Sequence, residues 1–201
     1  MTRILALSGS LGLSFESVLL DATRKLAPLG VEVVFYRELR RLPRFNSDWR
    51  DQEIAEVLFF QDKLRHADAL LIATAEFAHG LPGELKNALY WGIRGGQVSG
   101  KPVGLFKTAQ TDVVYKYLPA ALKRMDVRLM EEAIVSIPAA DTKTGVAEIL
   151  GSLLYSPAIR QVLQVLADEV SLQREEMKKR WGKGASFLNV DHLDKTSPSC
   201  A

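Results

Sequence analysis

The stretch between Asp68 and Trp91 constrains the fold more than any other part of the sequence. It begins with a short apolar run from Ala69 to Ala73, in which hydrophobic and polar residues do not alternate. Such a run is typical of a parallel strand that is covered on both faces. A polar turn follows, and Pro82 stands where a helix would begin, since a proline in the first turn loses no hydrogen bond that the helix needs. The stretch therefore predicts a strand, a loop and a helix, the unit that binds ligands in open α/β sheets.

A second unit of the same kind begins the chain. Ile4 to Leu7 is an apolar run, and the turn after it, from Ser8 to Ser14, is rich in glycine and hydroxyl groups. Because serine is a favoured N-cap residue, a helix is expected to begin near Ser14. Its predicted core-facing residues are Phe15, Val18, Leu19, Ala22, Leu26 and Leu29.

Further strands and helices alternate with these two units. The other predicted strands are 31–36, 102–106 and 132–137, and the other predicted helices are 52–66, 118–125 and 157–181. The first of these helices is expected to bury Ile54, Val57, Leu58 and Leu64. The segment 139–156 shows no clear pattern.

This alternation predicts an α/β fold, namely a doubly wound, five-stranded parallel sheet with helices on both faces and a long C-terminal helix. Right-handed crossovers leave few topologies, and the flavodoxin-like strand order 2-1-3-4-5 is the one expected. In that order the ligand crevice lies between strands 1 and 3. These are the strand that ends before Ser8 and the strand that ends before Thr74, so the two loops that follow them are expected to meet at the crevice.

The predicted elements form one domain followed by a tail. A chain of 201 residues suits a single domain with a sizeable core, and we expect that domain to span 1–181. The remaining residues, 182–201, include Ser197, Pro198 and Ser199 and are predicted to form a tail outside the core.

Charge and cysteine content argue against several classes of protein. The net charge is only +2, which does not favour a nucleic-acid partner. Cys200 is the single cysteine, so neither an internal disulfide nor a paired-cysteine metal site is expected, and a lone thiol fits a reducing cytoplasm. No apolar run is long enough to span a membrane, and no signal-peptide pattern is recognised, so a cytoplasmic protein without a membrane partner is expected.

The turn after the first strand has the composition of an anion site. Gly9 and Gly12 allow the backbone to turn tightly and to approach a ligand closely. Backbone N–H groups at the positive end of a helix bind phosphate, and Ser10 and Ser14 add hydroxyl groups. The alternative interpretation is that this is only a capped turn between a strand and a helix.

Each of the two loops carries a motif. The first loop contains Gly9-Ser10-Leu11 and Ser14, which match the pattern GSLRxxSxN. The second loop and its helix match TPEYNxSxPGxLKNALDW at Thr74, Glu76, Pro82-Gly83, the run from Leu85 to Leu89, and Trp91. Both patterns resemble those of the NADPH-dependent FMN reductase family, whose relatives include chromate and quinone reductases and azoreductases. The resemblance extends over residues 1 to about 135.

The resemblance implies FMN as cofactor and NADPH or NADH as co-substrate. It implies hydride transfer from the nicotinamide and delivery of electrons to a quinone, a metal oxyanion, an azo compound or free flavin. The cofactor supplies this chemistry, so no catalytic side chain and no metal ligand are predicted. The predicted cofactor-binding residues are Ser8, Ser10, Ser14, Phe15, Glu76, Phe77, Ala78, His79, Gly80 and Lys107.

The chain also departs from the family pattern. The family arginine of the first loop is missing, and Glu16 replaces an asparagine that donates to phosphate. A carboxylate there would repel a phosphate dianion unless it turns outward to solvent. The glycine-rich loop after the fourth strand is replaced by the sequence from Lys107 to Asp112. The alternative hypothesis is therefore a flavodoxin-like module that has lost tight flavin binding and serves in binding or assembly.

Two surface features allow further predictions. Lys86, Asn87, Tyr90 and Trp91 lie on the helix that family members use to dimerise, which implies a homodimer or a homotetramer built from it. The alternative for Trp91 is that it belongs to the core. A basic cluster is expected to be a solvated face, or alternatively to attract the 2′-phosphate of NADPH or an anionic acceptor. Its members are Arg37, Arg40, Arg41 and Arg44.

Overall fold

The computed structural model describes residues 1–10, 12, 14–49, 54–74, 81–108, 119, 122–123, 126–137 and 144–184. The chain divides into two compact units, Met1–Val170 and Ser171–Ala201. The second unit is helical as far as it is described. The predicted tail lies, from residue 185 onward, outside the described residues, so the boundary at 181 stays a prediction.

The first unit contains a five-stranded parallel sheet in the order β2-β1-β3-β4-β5. The predicted fold class and strand order are therefore confirmed. The strands are β1 (Thr2–Ser8), β2 (Val31–Tyr36), β3 (Ala69–Thr74), β4 (Pro102–Lys107) and β5 (Arg128–Ser136).

Five α-helices and one 3₁₀ turn have their bounds within the described residues, and Pro119, Leu122 and Lys123 are also helical. The 3₁₀ turn is Leu39–Arg41, and the α-helices are α1 (Phe15–Leu26), α2 (Ala55–Arg65), α3 (Gly83–Arg94), α4 (Val146–Gly151) and α5 (Tyr155–Gly184). The predicted helix over 118–125 falls mainly on residues outside those described.

The sheet separates two hydrophobic cores. Residues of α2 and α3 pack in one core, and residues of α1, α4 and α5 up to Val170 pack in the other. All six residues of β3 are buried between them, as the run without alternation predicts. The carboxyl end of β3 therefore lies at the centre of the sheet edge.

Some burial predictions are wrong. Leu29 is fully exposed because α1 ends at Leu26, before the predicted stripe reaches it. Leu58 is 42% exposed, whereas Val57, Phe60 and Leu64 form the buried face of α2.

The edge strand and the last two helices also differ in extent from the predictions. β5 begins at Arg128, four residues before the predicted start. Arg128, Glu131 and Glu132 are charged and exposed, so the first half of the strand lacks a continuous hydrophobic run. The unassigned segment contains α4, whose six residues are too few to show a helical period. α5 begins two residues earlier and ends three residues later than predicted.

Candidate functional site

The carboxyl ends of β1, β3 and β4 meet at one edge of the sheet. The Gly9 N–H donates to the carbonyl of Ala73 at 2.7 Å, and the Thr108 N–H donates to the carbonyl of Thr74 at 3.1 Å. The chain after β1 and the chain after β4 are thus both hydrogen-bonded to the end of β3. This is the switch point at which open α/β sheets bind ligands.

Gly9 allows the first turn to approach β3 closely. A Cβ at this position would lie 2.1 Å from Oγ1 of Thr74 and 2.7 Å from its Cβ. Any side chain at this position would clash with Thr74, so only glycine allows the first turn to lie this close to the end of β3.

Serine hydroxyl groups brace the first turn. Oγ of Ser14 accepts from the Ser17 N–H at 3.2 Å, which makes Ser14 the N-cap of α1 as predicted. The Ser17 hydroxyl donates to the carbonyl of Gly12 at 2.8 Å, and Gly12 has a φ of +85°. The Ser8 hydroxyl donates to the carbonyl of Ser10 at 2.7 Å. The turn therefore holds the positive end of α1 at the sheet edge.

A cavity of about 300 Å³ adjoins this turn on the β2 side. Its described lining residues are Ser8, Ser10, Gly12, Ser17, Phe35, Tyr36, Arg37 and Leu39. Burial, and then the charge of Glu38, raise the pKa of the Tyr36 phenol to about 12, so this group is neutral near pH 7.

The basic cluster lies mainly in solvent. Its four arginines are exposed. Arg37 is paired with Asp21 and lies 4.2 Å over the Phe35 ring, and Arg41 is paired with Glu38. These partners favour the interpretation as a solvated face.

Glu16 is buried, with 5% of its surface exposed. It accepts a hydrogen bond from the Thr108 hydroxyl, across 92 residues of sequence. The carboxylate therefore does not turn outward to solvent. An outward orientation is the one that would have kept it away from a phosphate.

Two other predicted site residues are placed by the fold. Phe15 lies in the core and packs edge-on against Tyr155, with ring centroids 6.0 Å apart. Lys107 ends β4 and pairs in register with Thr74, so it lies at the same sheet edge as the first turn. The predicted ring-binding residues Glu76, Phe77, Ala78, His79 and Gly80 lie outside the described residues, and their roles stay predictions.

Two residues that brace this edge, Ser17 and Thr108, are absent from the predicted site. Ser17 could have been found, because it lies three residues after the N-cap, the spacing at which a cap contacts the first turn. Thr108 directly follows β4, but its partner is apparent only once the strand order is known.

The four residues of the predicted dimer face differ in exposure. Trp91 is fully buried, and its Nε1 donates to the carbonyl of Pro43 at 2.9 Å. Asn87 accepts from the Phe45 N–H at 2.7 Å and donates to Pro43. Both side chains therefore bind a segment of their own chain, whereas Lys86 and Tyr90 are exposed.

Within the described residues, no group of three or more His, Cys, Asp or Glu side chains is placed to hold a metal ion. None of the described helices is both long enough and apolar enough to cross a membrane.

The sheet order and the capped, glycine-containing turn at the switch point define a flavodoxin-like, ligand-binding domain. The family model for NADPH-dependent FMN reductase matches residues 2–141. The chain belongs to this family, whose members are oxidoreductases that use FMN with NAD(P)H.

Individual relatives agree with this assignment. An NAD(P)H-dependent FMN reductase from Pseudomonas aeruginosa is 31% identical over 178 residues, which cover 82% of this chain and 92% of the relative. A quinone reductase from Escherichia coli K12 is 32% identical over 56% of this chain, and the match spans only 62% of that relative's length. The flavoenzyme FerB from Paracoccus denitrificans has the same fold, with a TM-score of 0.62 at 19% identity over 85% of this chain and 98% of FerB.

The described residues fit the phosphate of FMN with one exception. The first turn of α1 offers backbone N–H groups, Ser10 and Ser14 offer hydroxyl groups, and Lys107 adds a positive charge at the same edge. Glu16 is the exception, because its carboxylate lies in that same helical turn.

Proposed function

We propose that this protein is an FMN-dependent NAD(P)H oxidoreductase. Electrons pass from NADPH or NADH to a small-molecule acceptor: a quinone, a metal oxyanion, an azo compound or free flavin. A quinone is the first acceptor to test, because the Escherichia coli relative is a quinone reductase. Bound FMN would supply the hydride-accepting and electron-donating chemistry.

The main support is the attachment of the first turn to the end of β3. Gly9 donates to Ala73, and its missing side chain leaves room for Thr74. The Ser8–Ser14 turn and Lys107 would hold the phosphate, and the resemblance assigns the ring to residues 76–80. The chain's contribution is to bind and orient the cofactor at this crevice.

The activity is tested by anaerobic oxidation of NADPH with menadione, with and without added FMN. Oxygen is excluded because it reoxidises reduced flavin and hides the contribution of the quinone. We expect NADPH oxidation beyond the amount of flavin present to require the protein, FMN and menadione together. Absence of both FMN binding and NADPH oxidation would favour the alternative, a module that has lost tight flavin binding and serves in binding or assembly, to which the buried carboxylate of Glu16 also points.

Two glycines provide a matched control for the site. Gly12 has a φ of +85° and Gly30 a φ of +84°, and a Cβ on either would meet no atom within 4 Å. Alanine therefore costs similar backbone strain at both positions, about 1–2 kcal/mol. We expect Gly12→Ala to weaken FMN binding and Gly30→Ala to leave it unchanged. Equal effects of the two substitutions on the FMN dissociation constant would show that the first turn does not contribute specifically to cofactor binding.

We also propose a cytoplasmic homodimer, or a tetramer built from it. The proposed contact is an aromatic face formed by Phe45 and Tyr90, with Lys86 over the Tyr90 ring. Tyr90 is 39% exposed and stacks on Phe45 with ring centroids 5.4 Å apart. Exposed aromatic residues are enriched at protein interfaces.

A further inference from the structure

A buried carboxylate lies in the helical turn at which a flavin phosphate is expected to bind. Glu16 is the second residue of α1, two positions after the N-cap Ser14. Its side chain is buried and accepts from the Thr108 hydroxyl. Thr108 in turn donates its backbone N–H to Thr74 at the end of β3. The carboxylate therefore reaches from the first turn of α1 across the carboxyl end of β3.

The positive N-terminal end of a helix stabilises a nearby negative charge, and the carboxylate of Glu16 already lies at that end of α1. A phosphate dianion in the same turn would be repelled by the buried carboxylate, and burial reduces the screening of that repulsion by solvent. Riboflavin has the same ring as FMN but no phosphate, so this repulsion does not act on it.

We infer that Glu16 sets the flavin specificity of the site: it lowers the affinity for phosphorylated flavin, so that riboflavin is bound at least as tightly as FMN. This inference rests on the proposed function, since it concerns the same site. It makes dephosphorylated flavin an accepted substrate and FMN an exchangeable ligand.

The test is a titration of flavin fluorescence that gives dissociation constants for FMN and riboflavin. In the native protein we expect FMN to bind no more tightly than riboflavin. Glu16→Gln removes the charge and keeps an oxygen that accepts from Thr108. We expect this variant to bind FMN about tenfold more tightly or better, with the dissociation constant of riboflavin changed less than about threefold.

Three further variants identify the cause. Thr108→Val removes the hydrogen bond but keeps the charge, so the preference for FMN should not rise. Glu56→Gln removes an exposed carboxylate from the first turn of α2 and controls for net charge. Glu16→Asn restores the residue type of the family and replaces Glu16→Gln if the latter does not fold.

The inference is overturned if the native protein binds FMN more tightly than riboflavin, or if the ratio of the two dissociation constants is the same with and without the Glu16 charge. If neither flavin binds to the native protein or to any variant, the proposed function fails, and this inference fails with it. If both flavins bind and the ratio of their dissociation constants is the same in the native protein and in Glu16→Gln, only the inference is overturned and the proposed function stands.

Discussion

At the residue scale, the phenol of Tyr36 should make stability depend on pH. Its pKa in the folded protein is about 12, against 10.0 for an ordinary tyrosine. Between pH 10 and 12 the folded chain keeps this proton while the unfolded chain loses it. The contribution of the neutral phenol to the free energy of unfolding is therefore complete below pH 10 and is lost as the pH rises toward 12. Urea unfolding at increasing pH should show a smaller decline for Tyr36→Phe, by at most about 2–3 kcal/mol. Equal slopes for the two proteins would contradict this.

Gly9 and Gly83 allow a second prediction at this scale. Gly9→Ala forces a Cβ against Thr74 and should lower the free energy of unfolding by about 1–3 kcal/mol. Gly83→Ala, at the first position of α3, meets no atom within 4 Å and should be neutral or stabilising by up to about 1 kcal/mol. Thermal or urea unfolding measures both. A Gly9→Ala variant as stable as Gly83→Ala would show that the turn can shift away from β3.

Residue roles that depend on local sequence are predictable, and those that depend on distant partners are not. Ser14 is predictable as an N-cap because its role needs only the helix that follows it. The position of Glu16 in the motif marks it as unusual. Its hydrogen bond to Thr108 spans 92 residues, so it could not be predicted before the strand order placed β4 beside β3.

At the element scale, α3 is attached to the segment after the 3₁₀ turn through Asn87. This side chain accepts from the Phe45 N–H and donates to the carbonyl of Pro43. Asn87→Ala leaves both backbone groups without this partner and should cost about 1–3 kcal/mol. The exposed neighbour Lys86→Ala should change the free energy of unfolding by less than about 0.5 kcal/mol. Urea unfolding compares them, and equal losses would argue against a specific role for the amide.

Elements with a distinct pattern are predictable from the sequence, and those without one are not. β3 is apolar throughout because both of its faces are covered. In α2, Leu58 and Phe59 are apolar but exposed, so the pattern alone could not select the buried face around Val57 and Phe60. The first half of β5 is largely exposed at the sheet edge and therefore lacks the hydrophobic run by which a strand is recognised.

At the scale of the whole molecule, the strand order was predictable because few right-handed topologies accommodate five alternating strands and helices. That order alone brings the turn after β1 beside the end of β3, and so it locates the candidate site. Assembly is different, since one chain's sequence does not show which exposed aromatic residues contact a second copy.

The proposed homodimer gives a prediction at this scale. We expect the native protein to sediment with twice the mass of one 22.3 kDa chain, or four times that mass if two dimers associate. Tyr90→Glu places a charge within the aromatic face, where burial without a partner is unfavourable, and should shift the protein toward the monomer. Leu29→Glu makes the same kind of change at a fully exposed residue just beyond α1 and should leave the mass unchanged. Sedimentation equilibrium over a range of concentrations distinguishes the outcomes: a native monomer throughout, or equal dissociation by both variants, would reject the aromatic face as the interface.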